Sequence, residues 1–497
     1  MWSNAHLNQY EIVASVFCSA LSNMRRSWIK YVLSAIAFAT LFQNFMLYIL
    51  LYRQQSTNKA RTVFLCGPQD RLQTVQTVSE KVGFSPSNDM ETADLVWGLE
   101  CSWNYIFSKM KNMGSHQRLN KIPGFNVIVQ KAKLSTRGYP FMPKSFHVPK
   151  DSQALKSYMK ANPKKLFLTK HPNHHSVSLV NALDLGQWEG YDLLIQELLH
   201  PPYLVAGHKF DLTMYVLVTS VNPLRVYTNK KMMLRFCTKL YKEFEVNPYS
   251  SPLDSYVVHD HHFSHAEWIP ELRNFTSLQF AHHEALAAYI RSRGGDPDAL
   301  YERMKQMVLE VILDSLHGLR KASKEFPNAG NSSFFQLSRW DFMVGQDLQP
   351  FLIEANGSPH MSSHNDKNII RCSRYLFDAF HLLDLGSLGG DALARERDFV
   401  TTVELMIGSE PCQTCFNACH LRRCRLCFQC ISSHMLNTLS TAYIENQNKG
   451  TYERLFPLTR AREHWSKVGQ HNKHLTESDV QLQDWFNGMC KQDQDFC

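Results

Sequence analysis

The order of apolar and polar positions along the chain predicts strands that alternate with helices. Two apolar runs of strand length, Thr62–Leu65 and Ala93–Trp97, flank a stretch with helical spacing at Leu72–Val82. Farther along, residues 278–321 repeat apolar positions at helical spacing and are interrupted by Gly294-Gly-Asp-Pro, so they predict two consecutive helices. This alternation is typical of a mixed α/β (α+β) fold.

Charged residues interrupt one predicted strand in a regular way. In the strand at residues 206–219, Lys209, Asp211 and Thr213 alternate with apolar neighbours. Successive side chains of a strand point to opposite faces, so these three share one face. The sequence therefore predicts a strand with one charged face and one buried face.

Residues 339–363 predict a hairpin of two short apolar strands around a polar turn. Glu354 and Asn356 lie two positions apart and share a face, and Asp341 reaches the same face if the turn at residues 345–349 closes the hairpin. Two carboxylates and an amide oxygen make a hard, oxygen-only site suited to Mg²⁺. The alternative is an edge hairpin whose polar residues face water.

These segments, with an apolar strand that ends near residue 199, resemble the tubulin-tyrosine ligase-like family, whose domains use the ATP-grasp fold. The matching phrases are Gln196-Glu197, Lys209-Phe-Asp211-Leu, Tyr215-Val-Leu-Val-Thr-Ser220, Pro223-Leu-Arg-Val-Tyr227 and Leu352-Ile-Glu354-Ala-Asn356-Gly-Ser-Pro359. The resemblance covers residues 61–457 and implies an ATP-grasp-like ligase body of the tubulin polyglutamylase type.

Six successive regions are predicted along the chain. They are an N-terminal tail (1–30), a transmembrane helix (31–52), an N-terminal α/β unit of the ligase domain (61–144), an ATP-grasp catalytic body (145–408), a Cys-rich segment (409–432) and a C-terminal helical tail (433–497). The 22 uncharged residues at 31–52 are just long enough to cross a bilayer as a helix. We therefore predict a single-pass membrane protein, with a buried soluble helix as the alternative. Basic residues on the two sides of the span balance, so the side that the catalytic body faces stays open.

The resemblance implies an ATP-dependent reaction that joins an amino acid, most commonly glutamate, to a protein carboxylate through an acyl phosphate. It implies ATP and Mg²⁺ as cofactors, and free glutamate and tubulin or microtubules as partners. On the matching positions, Lys170 and Lys209 contact phosphates, Gln196, Glu197, Leu198 and Leu199 hold adenine, Asp211 lies near the ribose, Asp341, Glu354 and Asn356 bind Mg²⁺, and Arg235 grips phosphate or carboxylate. Lys209 and Arg235 are the predicted catalytic residues.

The charge of the chain is compatible with an acidic protein partner, although a mildly basic surface more commonly indicates no particular partner. The net charge is +8 and no long Lys/Arg run occurs, so a mildly basic surface could attract acidic tubulin tails. The basic residues are not interleaved with aromatic residues in a patch, so we predict no nucleic-acid partner.

Three departures from the family pattern affect the nucleotide site. The chain reads His171-Pro-Asn-His-His-Ser-Val-Ser-Leu179 where the family has an Arg-Gly-x-Gly loop, Thr213 replaces an arginine, and His259-Asp-His-His262 replaces a His-Leu-Thr-Asn segment. Glycines let a loop approach phosphates closely, and the side chains here cannot. A catalytically impaired, membrane-anchored protein that binds tubulin or acts as a scaffold is therefore the alternative to an active ligase.

Cysteines and glycosylation motifs bear on the compartment. Six of the 13 cysteines cluster as Cys412, Cys415, Cys419, Cys424, Cys427 and Cys430. Thiolates at this spacing can bind a structural Zn²⁺, whereas in an oxidising lumen they would pair as disulfides, and both alternatives stay open. In a lumen, Asn274-Phe-Thr276 and Asn331-Ser-Ser333 become glycosylation acceptors. The third functional alternative is thus a lumenal ligase that acts on a non-tubulin acceptor.

Overall fold

The computed structural model describes most of the chain after residue 60. The described residues are 43, 61–170, 177–180, 191–241, 255–258, 263–264, 268–277, 281–361, 366–385, 412–459, 462, 465 and 474–497. The predicted N-terminal tail and transmembrane helix (31–52) lie outside these residues, apart from Gln43. The description below concerns the unit Arg61–Cys497.

A parallel sheet of four strands opens this unit. Its elements are β1 (Arg61–Cys66), α1 (Gln69–Lys81), β2 (Phe84–Pro86), β3 (Leu95–Gly98), α2 (Trp103–Lys109) and β4 (Arg118–Leu119), with the strand order β2-β1-β3-β4. Helix α1 places Leu72, Val75 and Val78 in one apolar cluster with Val63 and Trp97 of the sheet. This periodic burial is why the helix forms between the strands.

An antiparallel sheet of four strands follows. Its elements, with the helices before and within it, are α3 (Asn126–Val129), α4 (Lys131–Ser135), β5 (Ser145–Val148), α5 (Ser152–Ala161), β6 (Phe167–Lys170), β7 (Val177–Val180) and β8 (Leu193–Glu197). The strand order is β5-β8-β6-β7. Because β6 and β8 are hydrogen-bonded neighbours, Leu168 pairs with Gln196 and Lys170 pairs with Leu194. The sheet therefore brings Lys170 and Gln196 close together.

The largest sheet has seven strands around the long strand β9. Its strands are β9 (Phe210–Val221), β10 (Leu224–Asn229), β11 (Met233–Cys237), β12 (Phe263–Ser264), β13 (Gln336–Val344), β14 (Pro350–Gly357) and β15 (Tyr452–Phe456). Strand β9 pairs with β10 and β11 and also with β13, and β13 forms the antiparallel hairpin with β14. The register places Asp341 opposite both Thr213 and Glu354. The sheet thus joins the charged strand and the predicted hairpin.

Among the described residues, six helices follow or separate the strands of this sheet, and the last of them lies near the C-terminus. They are α6 (Pro270–Ser277), α7 (His282–Ser292), α8 (Pro297–Ser323), α9 (Asp366–Leu382), α10 (Ser433–Gln447) and α11 (Glu477–Gln492). Helix α8 begins at Asp296, whose side chain accepts hydrogen bonds from the backbone N–H groups of Asp298 and Ala299, and Pro297 occupies its first turn. Its apolar residues, including Met304 and Ile312, belong to the main core with residues of β9 and β13.

The described residues contain no helix that is long and apolar enough to cross a membrane. The longest helix, α8, has 27 residues but is amphipathic, with charged residues such as Asp298, Arg303 and Lys321 along it. This finding contradicts the prediction of a single-pass membrane protein, and that prediction is dropped.

Disulfides, rather than zinc, hold the Cys-rich segment together. The pairs are Cys412–Cys427, Cys415–Cys424 and Cys419–Cys430. Sulfurs paired with each other cannot serve as thiolate ligands. The described residues also contain no group of three or more His, Cys, Asp or Glu side chains that could hold a metal ion. Of the two alternatives for these cysteines, the structure thus supports disulfides and not the Zn²⁺ site. Two further disulfides, Cys66–Cys101 and Cys490–Cys497, lie outside the segment.

The C-terminal region is built into the fold through a strand and an ion pair. Strand β15 extends the largest sheet by pairing with β10. Arg320 near the end of α8 donates two hydrogen bonds to the carboxylate of Asp479, which is fully buried and caps the first turn of α11. Helix α11 is therefore anchored to α8 as well as to its own apolar cluster with α10.

Candidate functional site

The three predicted metal-binding side chains meet on the β13–β14 hairpin. The side-chain amide nitrogen of Asn356 lies 3.2 Å from Oδ2 of Asp341 and 3.2 Å from Oε1 of Glu354. Alternation along β14 and the pairing of Asp341 with Glu354 produce this convergence. The structure thus brings together the residues that the sequence singles out, while their role in metal binding stays a prediction.

Two cations that the sequence analysis gave no role complete this cluster. Nζ of Lys131, at the start of α4, lies 3.2 Å from Oε2 of Glu354, and Nη2 of Arg339 lies 3.0 Å from Oδ2 of Asp341. Arg339 is two positions before Asp341 on β13, so strand alternation could have revealed it. Lys131 comes from a helix far away along the chain, and no local spacing points to it.

Cations determine the charge state of Glu354. Burial by itself would raise the pKa of this carboxyl group, but the positive charges of Lys131, Lys170 and Arg339 outweigh burial and lower the pKa well below its usual range. Glu354 is therefore ionised at neutral pH, as a metal ligand must be.

The charged face of β9 adjoins the same cluster. Thr213 donates a hydrogen bond of 2.8 Å to Oδ1 of Asp341, and Nη2 of Arg235 lies 3.2 Å from that oxygen. Lys209 donates to Asp211 at 2.9 Å. Burial acts to lower the pKa of Lys209, but the Asp211 carboxylate outweighs it and the pKa is raised. Lys209 is therefore a permanent cation beside the cluster, and both predicted catalytic residues lie near the hairpin.

Lys170 and the predicted adenine segment lie on the smaller antiparallel sheet. Nζ of Lys170 donates to Oε1 of Gln196 at 2.7 Å, and Nε2 of Gln196 donates to Oγ of Ser145 at 3.0 Å. Burial lowers the pKa of Lys170 to about 8. Lys170 can bind a phosphate only in its charged ammonium form. Burial disfavours that form, whereas the nearby Glu354 carboxylate favours it.

Two of the other residues predicted to hold adenine, Glu197 and Leu198, already form some hydrogen bonds within the sheet. The backbone N–H groups of Glu197 and Leu198 donate to the carbonyls of Lys144 and Leu166, each at 2.8 Å. The Glu197 carboxylate accepts from the Tyr158 hydroxyl and pairs with Lys165. Leu198 is buried and Leu199 is half-buried at the end of the segment. Glu197 and Leu199 are thus half-buried, whereas Gln196 and Leu198 are buried.

The hairpin residues fit a magnesium ion by their chemistry. Two carboxylates and one amide are oxygen ligands of the kind that Mg²⁺ prefers. In the structure the Asn356 nitrogen faces both carboxylates, and rotation of the amide by about 180° would present its oxygen instead. Mg²⁺ usually keeps waters or phosphate oxygens in its shell, so three protein ligands are enough.

One departure from the family pattern and most of another lie outside the part of the chain that the structure describes. Residues 171–176, where the glycine-rich loop is expected, and residues 259–262 lie outside the described residues. Thr213, the third departure, is described: its hydroxyl contacts Asp341 where an arginine is expected.

The fold is a mixed α/β domain with a cluster of carboxylates and cations on one hairpin, and comparison with known proteins identifies its family. The sequence profile of the tubulin-tyrosine ligase family matches residues 108–384, which include every residue of the cluster. The chain therefore belongs to the tubulin-tyrosine ligase family, and the predicted family is confirmed.

Several curated relatives are tubulin-modifying enzymes. A probable tubulin polyglutamylase of Caenorhabditis elegans, ttll-15, is 26% identical over 433 residues, which cover 81% of this chain and 78% of the relative. Tubulin polyglutamylase TTLL6 of Mus musculus is 24% identical over 337 residues, or 64% of this chain and 40% of the relative. Human tubulin monoglutamylase TTLL4 is 26% identical over 312 residues, or 59% of this chain and 25% of the relative. The chain thus spans less than half the length of the last two.

Proposed function

We propose that the chain is an ATP- and Mg²⁺-dependent ligase that adds glutamate to glutamate side chains of an acidic protein segment, with tubulin tails as the first acceptor to test. The family supports ligase chemistry, and the names of the relatives support tubulin and glutamate. ATP use, the amino acid added and the acceptor are parts of this proposal.

One observation carries the proposal: an excess of positive charge surrounds an oxygen-only ligand set. The hairpin cluster and the charged side chains beside it together contain three carboxylates and five cations, so their net charge is 5 − 3 = +2. The groups are Asp211, Asp341, Glu354, Lys131, Lys170, Lys209, Arg235 and Arg339. A site of this charge attracts a polyphosphate, and the carboxylates keep affinity for a divalent cation.

The roles of the residues follow from their positions. Asp341, Glu354 and Asn356 would hold Mg²⁺, which supplies charge neutralisation to the phosphates. Lys170 and Lys209 would orient the phosphates, and Arg235 would hold the phosphate or the acceptor carboxylate through its planar donor groups. Positioning and electrostatic stabilisation account for catalysis in this type of phosphoryl transfer.

An isotope-incorporation assay tests the proposal on the purified full chain. The protein is incubated with ATP, Mg²⁺, labelled glutamate and tubulin, and label bound to protein is counted. Glu354→Gln is expected to reduce incorporation by about 100-fold or more, because it removes a ligand charge. The matched control is Glu91→Gln, an exposed carboxylate paired with Lys109, which is expected to leave incorporation unchanged.

Two results would contradict the proposal. Glu354→Gln could retain wild-type incorporation, which would show that the hairpin is not the site. Alternatively, label could fail to enter tubulin, other acidic proteins and polyglutamate peptides alike, which would show that the chain is not a glutamate ligase.

A second candidate keeps the same chemistry and changes the acceptor. The five disulfides favour a ligase that acts in an oxidising compartment on a non-tubulin protein. The incorporation assay separates the candidates when tubulin and secretory-pathway proteins are offered in parallel, because each candidate predicts label in one acceptor pool.

A further inference from the structure

Most cysteines in the described part of the chain are paired, and the unpaired ones lie in the core. Ten of the 13 cysteines form five disulfides: Cys66–Cys101, Cys412–Cys427, Cys415–Cys424, Cys419–Cys430 and Cys490–Cys497. Within the described part of the chain, the two free cysteines, Cys237 and Cys372, are both buried. Cys419 and Cys497, by contrast, are exposed and paired. Exposed disulfides persist in oxidising compartments and are reduced in the cytosol.

The Cys-rich segment depends on its disulfides for a core. Its buried cluster consists of Cys412, Cys415, Cys424 and Cys427, with only small or partly buried apolar neighbours. Its aromatic residues do not contribute, because Phe416 is 82% and Phe428 is 67% exposed. Among the described residues of the segment, Leu426 is the one large buried apolar side chain, and it packs in the cluster of α10 and α11 rather than among the cysteines. A short segment with so little apolar interior of its own relies on covalent links to fold. The pairing is therefore a requirement of this part of the structure.

A glycosylation motif occupies a surface turn of the same molecule. Asn331, in Asn331-Ser332-Ser333, is exposed in the turn that precedes β13. Its amide nitrogen lies 2.6 Å from Nε2 of His434, which is also exposed. An amide that carries a glycan keeps one N–H, so this contact is compatible with modification. An exposed loop is where such acceptors are found in secreted proteins.

The chain contains two other Asn-x-Ser/Thr motifs, Asn274-Phe-Thr276 and Asn356-Gly-Ser358, and both are less suitable. Asn356 contacts Asp341 and Glu354 in the candidate metal site, so a glycan there would displace these contacts. Asn274 is exposed but lies inside helix α6 rather than in a loop.

We propose that the chain matures in an oxidising compartment of the secretory pathway and carries an N-linked glycan at Asn331. The oligosaccharide comes from a polyprenyl diphosphate donor: the bond from Nδ2 of Asn331 to sugar C1 forms, the bond from C1 to the phosphate oxygen breaks, and the amide loses one proton. Each disulfide forms as two thiols give two electrons and two protons to a disulfide-bearing oxidoreductase, which becomes a dithiol. Neither step depends on the proposed ligase activity.

The glycan is tested on the full chain expressed in animal cells. Digestion with a peptide N-glycosidase is expected to increase the gel mobility of the wild-type chain by one glycan-sized step. Asn331→Gln and Ser333→Ala should abolish this step, because each removes part of the motif. Ser332→Ala, which keeps the motif, should retain it, and Asn274→Gln should also retain it. If Asn331→Gln leaves the step in place, or no step occurs, the assignment is overturned.

The compartment is tested by thiol labelling of the same chain. Cells are lysed in denaturant with one alkylating reagent, and the protein is then reduced and treated with a second reagent of different mass. Ten cysteines are expected to take the second reagent, because five disulfides protect them. Labelling of every cysteine by the first reagent would overturn the proposal. Neither readout measures catalysis, so failure here is distinguishable from failure of the ligase assay.

Discussion

Lys131 fixes the orientation of Glu354 from outside the hairpin. Its ammonium group lies 3.2 Å from Oε2 of Glu354, while Asn356 contacts the other oxygen of that carboxylate. Both oxygens are therefore held, which limits the orientations that the carboxylate can adopt. Lys131 is also one of the cations that lower the pKa of Glu354.

Lys131→Met is expected to raise the KM for ATP more than it lowers kcat. The KM for ATP should rise by about tenfold, because one charge-assisted contact near the phosphates is lost. Steady-state incorporation at varied ATP measures this. Lys133→Met, an exposed residue on the same helix, is the control and should leave KM unchanged. An unchanged KM in Lys131→Met would remove this residue from the site.

His283 is expected to make folding sensitive to acid. Burial lowers its pKa from 6.5 to about 4, and its Nδ1 has no hydrogen-bond partner. Because the folded-state pKa lies below the unfolded value, the unfolded chain binds the proton first, and stability is lost as pH falls from 6.5 towards 4. The loss between pH 7 and pH 5 should be on the order of 2 kcal/mol.

Urea unfolding at the two pH values measures this effect. The midpoint of His283→Gln should fall less between pH 7 and pH 5 than the wild-type midpoint, since a neutral side chain replaces the titrating one. His116→Gln, at an exposed position, should behave as the wild type. Identical pH dependence in His283→Gln and wild type would contradict the assignment.

At the residue scale, local patterns in the sequence predict the hairpin cluster but not its surroundings. Asp341, Glu354 and Asn356 could be placed together because strand alternation and a short turn are local properties. Lys131 could not, because its approach to Glu354 depends on how α4 packs on the sheet. Thr213 departs from the family pattern in the sequence, yet only the structure shows its hydroxyl donating to Asp341.

At the scale of elements, long periodic segments were predictable and short ones were not. The two helices expected within residues 278–321 are α7 and α8, and Gly294-Gly-Asp-Pro lies between them. Strand β15, by contrast, has five residues and forms through pairing with β10, which is distant in sequence. The disulfide pairing of the Cys-rich segment could not be predicted from the sequence either, because six cysteines allow 15 connectivities.

The ion pair between α8 and α11 offers a test of how the C-terminal helix is held. Arg320 donates to both oxygens of Asp479, whose side chain is fully buried. Arg320→Ala would leave that carboxylate without its cation and should destabilise the fold by about 3 kcal/mol. Backbone amide hydrogen exchange should increase first in α11, because Asp479, which caps that helix, loses its partner.

The matched control uses an arginine on a neighbouring helix. Arg291 also donates to both oxygens of a carboxylate, that of Asp298, but these side chains are 54% and 75% exposed. Arg291→Ala should therefore cost less than about 1 kcal/mol. Equal losses in the two variants would show that burial of the pair does not matter.

At the scale of the whole molecule, the disulfides constrain which acceptor the proposed ligase can meet. Tubulin is cytosolic, and an enzyme that matures in an oxidising compartment would meet other acidic proteins. The charge cluster and the family do not distinguish these acceptors, because both present a carboxylate to the same residues. The glycan and thiol-labelling experiments therefore decide which acceptor pool belongs in the ligase assay.

The disulfide Cys66–Cys101 should stabilise the first sheet independently of the Cys-rich segment. It links the end of β1 to the residues after β3 across a sequence separation of 35. Closing a loop of this length in the unfolded chain should contribute about 4 kcal/mol. The double variant Cys66→Ser with Cys101→Ser should therefore melt at a lower temperature than the wild type in the absence of reductant. Adding reductant should lower the wild-type midpoint by more than that of the variant, because the variant has already lost this link. A wild-type midpoint that does not respond to reductant would show that the disulfides do not stabilise the folded chain.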